Sequence, residues 1–359
     1  MFYKKIWAVL RKDFLEAKRN VLLLMLILLL PVAFGFVTGA FKERTPVYTP
    51  LLIVPQNENV TENDLLLVCQ IANYSTTPEI EYNRTLAMNR LMREEAYFIV
   101  TIPDGVSNRG KTGEGNVIWV YVDSSITPVA EVSGYVVDAI DAWTKSYGYE
   151  GNVWLKRIGK RQNPFIYFIP GIFILLICIV GFLIIPMGVS KDRWVMERIM
   201  ISTKTPLSLI LFGRLLYAVF LVMVQFAVLN ITEYALGAPT QLDPRVIAII
   251  VLTTLALTSI GLFTVIITKF RDAGKHVNAL LMGVVIIFSG IVYPVGFLPD
   301  MLRHMAELFP VYYSAVLMRC FMFKDMDYAL VGDYVLIVVA FAVISILLMF
   351  LSTRRIRAA

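Results

Sequence analysis

Charged side chains are sparse in the apolar C-terminal half of this chain, so the places where they gather carry information. One such place holds Lys191, Asp192, Arg193, Trp194, Glu197 and Arg198, six of eight consecutive residues. The group has no nucleophile beside a base, so it is not set up for covalent or acid–base catalysis. It offers cations, carboxylates and one large aromatic, the residue types with which a surface anchors itself in a groove on another macromolecule. A helical elbow of this composition would transmit force from a soluble partner. A plain connector between two apolar runs would have the same length, and these residues alone leave both readings open.

A second group is Gln225, Asn230 and Glu233, on a third apolar run. Gln225 and Glu233 are eight apart, about two turns along one helix face. That spacing suits a polar pathway, whereas a carboxylate near the end of a run is exposed at little cost and needs no role. His276 and His304 lack cysteine or carboxylate neighbours at ligand spacing, so no metal site is expected. Cys69, Cys178 and Cys320 form no disulfide framework.

Gly105, Gly110, Lys111 and Thr112 stand in a literal G-x-x-x-x-G-K-[ST] pattern. A phosphate loop works because its amides and the N-terminus of a following helix converge on the phosphates. Here Gly113, Gly115 and then a strand-like run at 117–122 follow, so no helix is available. The match reads as a Gly-rich connection between strands, and no ATP site is expected on this chain.

The elements that position these groups follow from composition. The chain has 359 residues, 58% apolar and only 17% charged, against about 45–50% and about 25% for a soluble fold. A membrane span needs about 20 apolar residues. Six runs reach or approach that length, at 21–41, 163–190, 215–232, 246–268, 277–299 and 334–353. The net charge of +6 is no nucleic-acid signal, because its residues are placed as a multi-pass protein places them. Lys4, Lys5, Arg11, Lys12, Lys18 and Arg19 precede the first run; Lys191, Arg193, Arg198 and Lys204 follow the second; Lys269, Arg271 and Lys275 follow the fourth; Arg354, Arg355 and Arg357 follow the sixth. All four groups fall on one side of a six-span arrangement with both termini cytoplasmic. The fold class expected is an α-helical polytopic membrane protein with six transmembrane helices and an extracytoplasmic α/β domain.

Residues 1–20 place Ile6, Leu10, Phe14 and Ala17 at helical spacing among basic residues, as an interfacial amphipathic helix on the bilayer does. An ordinary basic flank to a retained first span at 21–41 fits as well. Residues 42–162 form the outer α/β domain, with strands expected at 48–54, 79–82, 97–102 and 117–122 and helices at 62–72, 84–95 and 128–147. Three N-x-[ST] sequons, at Asn59, Asn73 and Asn83, fall in it as candidate glycosylation sites. Residues 163–359 carry spans two to six, with a cytoplasmic loop at 188–206. Thr253, Thr254, Thr258, Ser259 and Thr264 on the fourth run are expected to pack helices and bond back to their own backbone. After the fifth run, Pro294, Gly296 and Pro299 break the helix, and the segment at 296–320 reads as an outer re-entrant element too short to cross.

In this order the landmarks resemble the permeases of the ABC-2 type of ATP-binding-cassette transporters, in the subgroup with a large outer domain after the first span. RKDFLEAKRN before VLLLMLILLLP is similar to the family's basic–acidic opening helix and Pro-ended first span. AYFIVTIPDGVS and VIWVYVDSS resemble its Ile-Pro-X-Gly turn and Asp-ended strand. GFLPDMLRHMAELFPVYYSAVLMR resembles its Pro-bounded outer hairpin with a terminal arginine, here Arg319. Glu197 and Gly213-Arg214 match the loop before the third span, while Thr205-Pro206 falls a few residues later than the family's Thr-Pro and Trp194-Val195 stands where the family has Gly-Thr. The resemblance covers essentially the whole chain.

It implies a multi-pass plasma-membrane subunit that docks a separate ABC ATP-binding subunit through Lys191, Asp192, Arg193, Trp194, Glu197 and Arg198. The permease would pair as a homodimer, or as a heterodimer with a relative, and export amphipathic or lipid-like cargo. ATP and Mg would be held by the partner and no cofactor by this chain. Two other classes were weighed on the residues. A surface receptor using the outer domain needs one anchoring span rather than six. An ion-coupled secondary transporter would show inverted repeats or carboxylates at the bilayer midplane.

Overall fold

A computed structural model of the chain describes residues 49–72, 76–106, 117–146, 148–149, 151–159, 167, 169–235, 243–288, 290, 294–298 and 300–357. The interfacial helix expected at 1–20 and the first span at 21–41 lie outside these residues.

In chain order the described elements are β1 (Thr49–Pro55), α1 (Glu62–Ala72), β2 (Thr76–Ile80), α2 (Arg84–Met92), β3 (Phe98–Ile102), β4 (Val117–Asp123), α3 (Thr127–Ser146) and β5 (Asn152–Ile158). There follow α4 (Ile169–Lys191), α5 (Arg193–Thr203), α6 (Leu207–Ala235), α7 (Pro244–Ile267), α8 (Asp272–Phe288), a short turn of 3-10 helix at Val295–Phe297, α9 (Asp300–Glu307), α10 (Pro310–Phe323) and α11 (Tyr328–Arg357).

The five strands form one sheet in the order β2-β1-β3-β4-β5, parallel except for the β3–β4 pair. A mostly parallel sheet must be covered on both faces, and alternation along the strands does this. Leu51, Ile53, Phe98 and Val100 point to a core closed by Leu65 and Val68 of α1 and Val129 and Val136 of α3. Leu52, Val54 and Ile99 point to the other face, against Ala87 and Leu91 of α2. The strand expected at 79–82 is centred earlier, at Thr76–Ile80. β5 was not expected at all, because its Lys156 and Arg157 break the apolar alternation. The phosphate-loop pattern lies in the β3–β4 connection, of which 107–116 fall outside the described residues, and strand β4 follows it.

Among the described residues, four helices are long and apolar enough to cross a membrane: Ile169–Lys191, Leu207–Ile231, Pro244–Ile267 and Tyr328–Arg354. The shortest of them, at 23 residues, is about 34 Å long, enough for a hydrocarbon core of about 30 Å. α8 has 17 residues and falls short of that group. The third span begins eight residues before the expected 215: Pro206 starts the helix at Leu207, so Arg214 lies within α6. The element expected at 296–320 divides into the 3-10 turn, α9 and α10, with Pro310 opening α10.

α7 is the central helix, with residues on many faces buried. It crosses α4 where α4 opens into a π-turn, Ile179–Ile184. A Cβ added at Gly261 would overlap the Gly181 carbonyl oxygen and sit 2.8 Å from Pro186 Cγ, so the two backbones touch there. Small residues at such crossings are how helices pack where no water drives them together. Of the five α7 hydroxyls expected to bond back to the helix, those of Thr253, Thr254 and Thr264 do so, while those of Thr258 and Ser259 are buried with no hydrogen-bond partner among the described residues. Thr253 and Thr254 donate to the Ile249 and Ile250 carbonyls at 2.7 Å, and Thr253 also reaches Ser314 of α10 at 2.9 Å. Thr264 bonds Asn278 of α8.

The sheet domain sits on the hairpin end of the helices. Gly296 donates its amide to the Tyr97 hydroxyl at 3.0 Å, and Phe297 meets the Tyr97 ring edge-on at 5.4 Å. Only glycine fits at 296: a Cβ would lie 2.6 Å from Tyr97 and 2.9 Å from Pro50.

Candidate functional site

α4 runs from the sheet domain to α5, so the elbow and the sheet stand at opposite ends of a membrane-length helix. α5 is short because it is bounded on both sides. Asp192 caps both α4 and α5 through its backbone, its amide donating to the Gly188 carbonyl and its own carbonyl accepting from the Met196 amide, each at 2.9 Å, and Lys204 closes α5 in the left-handed conformation at φ 55°. Met196 is buried and Met200 packs beside it, one turn on, against the helical core. The remaining faces look outward. Trp194 is 72% exposed, Val195 56% and Ile201 82%, with Lys191 and Arg198 exposed among them.

The six residues singled out in the sequence are therefore brought together on one elbow. Arg193 and Glu197 pair at 2.9 Å across one turn, and the Arg193 guanidinium lies between the Trp194 ring at 5.8 Å and the Phe270 ring at 6.0 Å. Phe270 belongs to the turn joining α7 to α8. Asp192 accepts from Arg214 Nη2 at 2.6 Å, which ties the α4–α5 corner to α6. The elbow is thus tied at its back by the Asp192–Arg214 ion pair and the buried Met196 while its apolar and basic face stays open. Exposed apolar side chains grouped among charges mark a surface for contact with another protein or a membrane.

The other sequence candidates separate. Asn230 turns back to the Phe226 carbonyl at 2.8 Å, and Gln225 keeps a buried carbonyl oxygen with no hydrogen-bond partner among the described residues. Glu233 falls in α6, but its side chain lies outside the described residues. Asn59 and Asn83 are exposed, and Asn73 lies outside the described residues. Asn83 has a structural task, capping α2 by accepting from the Thr85 and Leu86 amides at 3.0 and 3.1 Å.

A group that sequence reasoning missed lies where the sheet domain meets the hairpin. Arg319 of α10 grips Glu94 with Nη2 at 2.6 Å and Nε at 3.0 Å. Lys324 donates to the Met92 carbonyl at 2.6 Å, pairs with Asp123 at 2.7 Å and reaches Glu94 at 3.4 Å. All four charged side chains are at most 3% exposed, and their formal charges cancel. Burial works to raise the Glu94 carboxyl, but the charges and hydrogen bonds of Arg319 and Lys324 overcome it and leave it below its ordinary value. Glu94 itself stands at φ 65° just past the end of α2, a position where glycine is usual. Holding a non-glycine there costs about 1–2 kcal/mol, which the buried pair offsets. Arg319 was visible in the sequence as the terminal arginine of the hairpin. Its partner was not, since Glu94 is 225 residues away.

No curated protein and no solved structure shows significant similarity to the chain. The model of one protein family, described as ABC-2 family transporter protein, matches residues 21–351 and so takes in the sheet, the elbow and the hairpin alike. The chain belongs to the ABC-2 transporter family, as a membrane component of a transporter, and is a multi-pass plasma-membrane protein.

Proposed function

We propose that this chain is the permease of an ATP-binding-cassette exporter, worked by a separate ATP-binding subunit that docks on the α5 elbow. The observation that carries this reading is the exposure of Trp194, Val195 and Ile201 on a short helix whose back is pinned to α4 and α6. A pinned elbow passes a push into two spans, where a loose one would absorb it. Family membership supplies the partner class, and the ATPase supplies ATP and Mg. Lys191, Arg193, Arg198, Lys204, Lys269, Arg271 and Lys275 gather at the elbow end, which supports a cytoplasmic elbow and an extracytoplasmic sheet domain. With the first span at 21–41 and α8 counted, six spans place both termini inside. Two permease copies, or this chain and a relative, would enclose the path. Their spans are rich in hydroxyls and poor in charge, which supports amphipathic or lipid-like cargo, with Gln225, Asn230 and Glu233 as candidate pathway residues.

The test is co-purification with a co-expressed ATP-binding subunit. Replacing Trp194 by Ala and Glu197 by Gln together removes the aromatic anchor and the Arg193 pair. Hot-spot losses of about 2 kcal/mol or more predict at least about a thirtyfold loss of bound ATPase. The permease should keep its elution volume and the fluorescence of its outer-domain tryptophans. Unchanged co-purification would refute the elbow as the docking element.

A further inference from the structure

A cavity of about 430 Å³ opens between the β1–β2 edge of the sheet and the α9–α10 hairpin with the start of α11. That size falls in the range of small-molecule sites. Its chemistry is uneven. Tyr312, Tyr313 and Tyr334 form a row of edge-to-face rings, with centroids 5.2 and 4.9 Å apart. Four carboxylates, Glu79, Glu95, Glu307 and Asp333, share the lining with only two arginines, Arg90 and Arg303.

The ion pairs sharpen the imbalance. Arg90 is held by Glu79 at 2.7 Å, and Arg93, behind the wall, serves both Glu95 and Asp333. Glu307 is paired with His304 at 3.3 Å, a partner that carries charge only when protonated. Negative charge is thus left facing Tyr313. Its phenol is raised above its ordinary value first by partial burial and then by Glu307, Asp333 and Glu95. The wall already seats one cation on a ring, since the Arg93 guanidinium lies 4.4 Å from the centre of Tyr334.

An anion entering here would meet an excess of carboxylates, and a neutral apolar group would leave them dry and unpaired. A cation meets both aromatic faces and uncompensated negative charge, the combination by which quaternary ammonium groups are recognised. We propose that this cavity binds an organic ammonium group on a small apolar body, seated against Tyr312 and Tyr313 with Glu307 as its counter-charge. The inference stands on the cavity walls and does not require the transport reading.

The experiment uses the full chain in lipid nanodiscs, with choline as probe and 3,3-dimethylbutan-1-ol, its uncharged carbon isostere, as control. Binding is followed by ligand-observed NMR titration. Choline should bind about fivefold or more tighter than the isostere, and Tyr313→Ala and Glu307→Gln should each weaken it by about fivefold. Glu307→Gln changes a half-exposed side chain and leaves folding intact, so it carries the test by itself if Tyr313→Ala lowers stability. Arg303→Gln should leave choline binding unchanged or tighten it. Equal binding of choline and the isostere, indifference to Glu307→Gln, or loss of choline binding in Arg303→Gln would each overturn the assignment.

Discussion

The buried pair of Glu94 and Arg319 makes a quantitative prediction about what holds the sheet domain to the membrane helices. Glu94→Gln leaves Arg319 and Lys324 facing Asp123 alone, a buried net charge of one. Arg319→Met leaves Glu94 and Asp123 facing Lys324, the same imbalance with opposite sign. Removing one partner from a buried pair costs about 3–5 kcal/mol, whereas replacing both by groups of similar volume is often close to neutral. Each single variant should therefore lose about 3–5 kcal/mol. The double variant keeps Lys324 on Asp123 at 2.7 Å and should lose no more than about 2 kcal/mol. The coupling between the two sites is then several kcal/mol, far above the usual scatter for independent positions.

The readout is reversible denaturant unfolding in detergent micelles followed by tryptophan fluorescence. Trp119 and Trp154 lie tilted against each other, ring centres 6.0 Å apart, within the sheet and report on the sheet domain. A pH arm fixes the mechanism. The Glu94 carboxyl is held below its ordinary 4.5, so its contribution is present in full above that value and is lost as pH falls through the lowered one. The gap between wild type and Glu94→Gln should close in that window and not above it. Additive single losses, or a gap insensitive to acid, would refute the account of this cluster as a charge-balanced latch.

Two further outcomes follow from packing and pairing. Gly261→Ala drives a methyl into the Gly181 carbonyl and Pro186, so overpacking of about 1–3 kcal/mol should outweigh the gain of about 1 kcal/mol in helix propensity; an unchanged or raised thermal midpoint would mean that α4 and α7 do not touch there. Arg214→Ala removes an ion pair whose side chains are 30% and 41% exposed, so stability should change by less than about 1 kcal/mol. The permease's stimulation of its ATPase should nevertheless fall, and full stimulation in a stably folded variant would show that the elbow needs no tie to α6.

Local signals accounted for most of the elements. Glu62–Ala72 and Thr127–Ser146 were legible from apolar periodicity, and the break after α8 from Pro294 and Gly296. Where local signals conflict, tertiary packing decided. β5 alternates exposed and half-buried positions and carries Lys156 and Arg157, yet it pairs along its whole length with β4, from Asn152 on Val117 to Ile158 on Asp123. Its residues do not show that a partner strand is waiting. Arg214 marked an expected boundary for the third span because a charge inside an apolar run is costly. The structure keeps it inside α6 because Asp192 is within reach at the membrane end.

The two charged groups show why one site could be read and the other could not. The elbow is contiguous in sequence and open in the structure, so its chemistry is the chemistry of its letters: an aromatic, two ion-pairing residues and flanking cations within one short helix. The latch is assembled from α2, β4 and α10, and each member alone has an ordinary explanation. Glu94 looks like an exposed helix end, Asp123 like the end of a strand, and Lys324 like a solvated base after an apolar helix. Their meaning comes from burial, which a surface reading of each residue assigns wrongly: four ionisable side chains at most 3% exposed persist only because each desolvated charge has a partner. One local trace does remain, in the backbone. Glutamate holds a left-handed position at the end of α2 where glycine would be easier, so the carboxylate, and not the turn, is what that position requires.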